Sequence, residues 1–151
     1  MKLRRANKDD CRDLYEWRNS LAARQNSLDQ KEILYEDHVQ WFEGSLNNSD
    51  RTIYIALDND KKIGQVRFDL EKLNVARVSV TVKPEEQGKG YGPKIIAEGS
   101  KKYFSETGVP IIRAEIRPEN LPSVKAFERA GYRFYGENGG ILEYRLENGK
   151  I

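Results

Sequence analysis

The period of the apolar positions changes along the chain, and each change marks an element. Residues 2–6 read as a short strand. Asp9 or Asp10 is placed to cap a helix running to about Asn19, with Cys11, Leu14, Tyr15 and Trp17 mainly along one side. Ser20 to Gln30 is polar and irregular. Leu34 to Leu46 returns to a helical pattern in which Leu34, Val39, Trp41, Phe42 and Leu46 supply the surface to be buried. Ile53 to Leu57 and Ile63 to Leu70 make a hairpin across the turn formers Asp58-Asn59-Asp60-Lys61. Val75 to Val82 is a third strand, and Lys94 to Thr107 is a helix. A strand then ends at Pro118, a helix opens at Asn120 and closes at Gly131, and Tyr132 to Gly136 pairs with Gly140 to Leu146 across Glu137-Asn138-Gly139. No linker, repeat or low-complexity stretch interrupts this order, so residues 1–151 read as a single domain.

The junction between the third strand and its helix carries chemistry. Val78, Val80 and Val82 run into Gln87-Gly88-Lys89-Gly90-Tyr91-Gly92. Gly88, Gly90 and Gly92 have no Cβ, so the turn can take unusual φ/ψ values and aim several N–H groups at one ligand. The helix adds its unpaired amides and positive dipole end, and Pro93 suits its first turn. A diphosphate is the natural guest. Neither the dinucleotide GxGxxG nor the phosphate loop GxxxxGK[ST] is present.

Gln87-x-x-Gly90-x-Gly92 between a strand and a helix resembles the pyrophosphate-binding motif of the GCN5-related N-acetyltransferases, Gln/Arg-x-x-Gly-x-Gly/Ala. A second stretch, Asn120-x-x-Ser123-x-x-x-Phe127-x-x-x-Gly131-Tyr132, is similar to that family's later signature. The order of elements is also the family's own. The resemblance therefore implies an α/β (α+β) fold: a mixed, mostly antiparallel central sheet of about seven strands, splayed in the middle, with helices on both faces. It implies acetyl-coenzyme A as co-substrate, gripped by Gln87, Gly88, Lys89, Gly90, Tyr91 and Gly92, with Asn120, Ser123 and Phe127 from the second signature. Val80 and Val82 inherit main-chain contacts to the pantetheine arm, and no metal or covalent intermediate is expected.

Composition excludes other classes. A chain of this length buries roughly two-thirds of its unfolded surface. The net charge of +2, with both signs interspersed, does not predict a nucleic-acid partner. No stretch approaches the ~18 apolar residues of a membrane span, and the expected location is cytoplasmic, as a monomer or homodimer. Cys11 alone forms no internal disulfide.

Acetyl transfer to an amine needs a neutral nucleophile, a donor for the oxyanion and a proton for the departing thiolate. Many family members carry tyrosine where this chain has Phe127, which has no proton to give; Tyr132, Tyr91 and Tyr103 are the possible substitutes. For a base, Glu115 is the best-placed acid, against a bland reading in which it pairs with Arg113 or Arg117; His38 stands second, against a structural role on its helix. In the family the first two helices wall the acceptor cleft. Trp17-Arg18-Asn19, Arg24 and His38-x-x-Trp41-Phe42 look similar to the branch acting on nucleotide-linked amino sugars, which includes the pseudaminic-acid pathway enzyme, and in part to the ribosomal-protein N-terminal branch. Arg18, Asn19, Arg24 and His38 are thus the expected acceptor residues, with a sugar nucleotide as partner. A protein N-terminal or small-amine acetyltransferase, and a non-catalytic acyl-coenzyme A-binding module, stay open.

Overall fold

The computed structural model describes residues 1–20, 23, 25, 28, 31–72 and 74–149. Seven strands form one sheet: β1 (Lys2–Arg5), β2 (Arg51–Asp58), β3 (Lys61–Lys72), β4 (Val75–Val82), β5 (Ile111–Ile116), β6 (Arg133–Asn138) and β7 (Ile141–Glu147), in the spatial order β1-β2-β3-β4-β5-β7-β6. Every neighbouring pair is antiparallel except β4 and β5. The described residues also hold four α-helices, α1 (Cys11–Arg18), α2 (Tyr35–Leu46), α3 (Tyr91–Thr107) and α4 (Leu121–Arg129), and two single 3-10 turns, Lys8–Asp10 and Pro84–Glu86.

Alternation along the strands divides the side chains between two layers. Tyr54, Val66, Phe68, Ala76 and Val78 point to one face and pack with Ile95, Ile96, Tyr103 and Phe104 of α3 in the main core. Helix and sheet meet closely there, because a Cβ on Gly99 would stand 2.7 Å from Cγ1 of Val66. Ile53 and Ile55 point the other way, into a smaller core with Leu14, Trp17 and Phe42 from α1 and α2.

Several local expectations shift. The stripe that α2 buries is His38, Phe42 and Ser45, one residue per turn, while Leu34 and Leu46 lie exposed at its ends. Asp10 stands at the N-cap position of α1, as one of the two expected residues, but its side chain makes no cap hydrogen bond there. Asn7 caps a short turn over Lys8–Asp10, and Asp10 turns inward to accept two 2.8 Å hydrogen bonds from Arg4, with Lys62 at 2.7 Å. That pairing outweighs the burial and holds the Asp10 carboxyl down to about 2. The helix after the glycine turn starts at Tyr91, three residues before the expected Lys94. The last hairpin keeps Asn138 in its strand, paired with Ile141, and turns at Gly139-Gly140 (φ 59° and 81°). A two-residue loop with both φ positive follows the twist of the strands, and two glycines take it without strain.

Candidate active site

Strands β4 and β5 pair only at Val75, Ala76 and Arg77, opposite Ile111, Ile112 and Arg113. Beyond Arg77 they part. The amide of Lys83 donates to the Ile63 carbonyl, so the main-chain groups of alternate residues, Thr81 and Ser79 included, also face β3. Those of Val78, Val80 and Val82 face the opening instead. Val80 and Val82 therefore pack their side chains on the α3 core while leaving their backbone groups toward the gap.

This gap widens into a cleft of about 690 Å³. At one end lies the glycine turn. Gly88 and Gly90 take φ of 79° and 83°, and neither would find an atom within 4 Å of an added Cβ, so the turn is open to a ligand. Gly90 is the N-cap of α3, and no side chain satisfies the helix's first amides. Gly92 differs from the expectation of an unusual conformation, since it sits inside the first turn of α3, where a Cβ would meet Ala126 at an ordinary 3.6 Å. Gln87 reaches back to donate to the Val82 carbonyl at 3.3 Å. Lys89 is drawn to the buried carboxylate of Glu86 at 3.0 Å, and Tyr91 donates to Asp58 at 2.6 Å. Such a set of free amides suits a diphosphate.

Asn120 and Ser123 line the same cleft at the head of α4, where the Asn120 side chain caps the helix by accepting from the Ser123 amide at 3.3 Å. Phe127 also lines it, edge-on to Tyr132 with ring centres 5.0 Å apart. The tyrosine substitutes fare unevenly. Tyr132 spends its hydroxyl on Ser100 at 2.7 Å, and burial drives its pKa upward. Tyr103 is stacked on Phe68 at 4.4 Å within the core. Of the three, Tyr91 alone lines the cleft.

Glu115 faces the cleft from β5 and accepts from Arg77 at 3.1 Å, with Arg113 at 3.6 Å. Its partners are thus Arg77 and Arg113, while Arg117 holds Glu119 at 2.7 Å. His38 is 1% exposed. Its Nε2 lies 3.0 Å from the Cys11 carbonyl, which can only accept, so Nε2 carries the proton and ties α2 to the start of α1. Among the described residues Nδ1 has no hydrogen-bond partner, and burial lowers the pKa of the ring. Asn19 is not among the lining residues; its side chain accepts from the Ile33 amide at 3.0 Å. Arg24 lies outside the described residues.

Away from the glycine turn, Trp41 of α2 is surrounded by guanidinium groups: Arg18 at 4.5 Å, Arg67 at 5.1 Å and Arg51 at 5.2 Å from its ring centre. Arg18, Trp41, Arg67 and Arg77 all line the cleft. Of these, only Arg18 was assigned to the acceptor on sequence grounds. Alternation along β4 puts Arg77, Ser79 and Thr81 on one side, but the partner arginines come from β2, β3 and α1, and no local pattern links them.

The acetyltransferase (GNAT) domain family is matched by residues 1–133. The candidate phosphinothricin acetyltransferase YwnH of Bacillus subtilis is 28% identical over 133 residues, 84% of this chain and 80% of its own. Among solved structures, spermidine N-acetyltransferase of Vibrio cholerae, in complex with CoA and spermine, superposes with a TM-score of 0.89 at 18% identity, covering 99% of this chain and 96% of that one. Aminoglycoside acetyltransferase AAC(6')-Ib, with coenzyme A and kanamycin, gives 0.84 at 21% identity over 97% and 94%. At these identities the structural likeness is one of fold.

Proposed function

The chain belongs to the acetyltransferase (GNAT) domain family and is an acetyl-coenzyme A-dependent N-acetyltransferase; on that premise we propose that it acetylates the primary amine of a small molecule by direct attack in a ternary complex, with a nucleotide-linked amino sugar as acceptor. The reading rests on the opening between β4 and β5, where main-chain groups of Val80 and the amide of Val82 face the gap beside a glycine turn at a helix N-terminus.

Acetyl-coenzyme A supplies an acyl carbon already activated as a thioester. The amides around Gly88, Gly90, Tyr91 and Gly92 bind the diphosphate. Gln87 braces the turn on the Val82 carbonyl, and Lys89 adds charge at the rim. Val80 and Val82 pair with the amide arm through their backbone, and the Val82 amide donates to the oxyanion. Asn120 and Ser123 hold the arm from the other side, and Phe127 keeps water away from the reacting centre. Glu115 accepts the proton of the ammonium. In this reading His38 is a positioning residue, because one ring nitrogen is spent on Cys11 and the other is buried.

A sugar nucleotide is favoured by Arg18 at the mouth of the cleft, where a guanidinium can meet a diphosphate by charge-assisted contacts. A second reading, a small amino acid bearing an acidic group, is favoured by the 28% identity with YwnH, whose name specifies phosphinothricin. Coenzyme A release is to be followed with nucleotide amino sugars, acidic amino acids, aminoglycosides, polyamines and short peptides, beside calorimetry of acetyl-coenzyme A binding. Turnover with a sugar nucleotide supports the reading. Tight binding without turnover on any amine would mean a binding module.

A further inference from the structure

Among the described residues, the ion pairs on the cleft side of the sheet link five guanidiniums, Arg51, Arg67, Arg77, Arg113 and Arg145, to four carboxylates, Asp69, Glu71, Glu115 and Glu143. Asp69 is the shared partner: it accepts from Arg51 and Arg67, and Arg77 stands 4.0 Å away. Arg67 donates also to Ser79 at 3.4 Å. Glu115, which pairs with Arg77, is divided with Arg113. The Nε of Arg77 has no hydrogen-bond partner among the described residues, and its ion-pair contact there, with Glu71, is long at 3.8 Å. Arg67 is the most enclosed of the set, and both burial and the charges of Arg51 and Arg18 oppose its protonation, with Asp69 acting the other way. A guanidinium stays charged in such surroundings, so the arrangement stores a demand for an anion.

Resting on the acetyltransferase reading, we propose that Arg18, Arg67 and Arg77, arrayed about Trp41, form an anion subsite that seats a phosphate or carboxylate of the acceptor, so that the preferred substrate is an amine carrying its own negative charge. The placement supports this. Arg67 pairs across the ladder with Ser79, next to Val80, and Arg77 lies three residues before Val80 on the same strand. At about 3.3 Å per residue, the arginines begin within roughly 10 Å of the free main-chain groups, the span of a small aminated molecule. Trp41 gives a flat wall that orients the guanidiniums by cation–π contact. Its carboxylate neighbours keep the arginines apart and fixed before the ligand arrives. Amines with several positive charges meet repulsion here.

Matched amines test this: ethanolamine against O-phosphoethanolamine, glucosamine against glucosamine 6-phosphate, alanine against ethylamine, and a uridine diphosphate-linked amino sugar, with spermidine as the polycation. The anionic member of each pair is expected to have a kcat/KM roughly tenfold or more higher, and the pair showing the largest gain tells a monophosphate from a carboxylate or a nucleotide. R67Q and R77Q should each abolish that preference while acetyl-coenzyme A affinity stays within about threefold. Acetylation of the neutral or polycationic amines with equal or greater efficiency overturns the subsite and leaves the enzyme reading intact; loss of acetyl-coenzyme A binding and turnover in the wild type overturns that reading instead. A second readout does not need a turned-over acceptor. With coenzyme A saturating, inorganic phosphate should raise the Tm of the wild type above that in chloride of equal ionic strength, and fail to do so for R67Q and R77Q. An equal phosphate effect in all three proteins overturns the subsite.

Discussion

The two faces of the sheet are built from the same strands yet solve opposite problems. Toward α3 the alternate positions Tyr54, Val66, Phe68, Ala76 and Val78 are apolar and closed over by a long helix. Toward α1 and α2, β2 still offers Ile53 and Ile55, but β3 and β4 offer Gln65, Arg67, Asp69, Arg77, Ser79 and Thr81. The short helices cover the first part and leave the second as the floor of a cleft. Closed-face side chains lose water wholly and stabilise the fold. Those on the open face, with Glu71 beside them, keep charged groups paired at the edge of water, which suits binding more than stability.

The largest effect that can test this contrast is Phe68→Ala. Phe68 is fully buried and stacked on Tyr103, so its removal is expected to cost about 3–5 kcal/mol and lower the Tm by roughly 10 °C, measured by calorimetry. A loss below about 1 kcal/mol would mean the α3 face is not the stabilising one.

Gly90→Val comes next and probes the junction of the faces. A β-branched residue at φ 83° is strained by about 1–2 kcal/mol and would place its side chain in the open turn. Acetyl-coenzyme A affinity should fall at least about tenfold, while Lys89→Ala, at the exposed rim, should change it less than about threefold. Calorimetry on the folded Gly90 variant decides; an unchanged affinity removes the glycine turn from the cofactor site.

His38 sharpens the comparison, because it is a titratable group used for packing. Burial lowers its folded pKa below the unfolded value, so the unfolded state takes up a proton first as the pH falls. Stability is therefore full above the unfolded pKa, near 6.5, and declines as the pH drops from there toward the folded pKa. His38→Gln can still donate to the Cys11 carbonyl and cannot titrate, so it should flatten the Tm profile between about pH 7.5 and 5. If its activity is lost at neutral pH and recovered at higher pH, His38 is a base after all.

The smallest stability change is expected of Phe127→Tyr. At this buried position on the cleft wall the added hydroxyl should change stability by less than about 1.5 kcal/mol and raise the turnover number, if protonation of the departing thiolate limits the rate. An unchanged turnover number assigns the limit to another step or acid, and a solvent isotope effect on the wild type separates the two.

The chain's own pattern determined the order of elements, the hairpin at Asn59-Asp60, the glycine turn before α3 and the Asn120 cap, because each depends on residues a few positions apart. It misjudged ends where a tertiary partner competes: Asp10 looks like a helix cap, but Arg4 and Lys62 draw it inward. The stripe of α2 was blurred because a histidine and a serine, His38 and Ser45, occupy buried turns usually assigned to leucine. Only the tertiary structure decided the arginine-lined end of the cleft. Arg18, Trp41, Arg51, Arg67 and Arg77 come from α1, α2, β2, β3 and β4, and their mutual charge balance depends on distances that sheet register and helix packing set. Local chemistry can write a turn or a cap; an electrostatic imbalance exists only once the chain has brought remote charges together away from water.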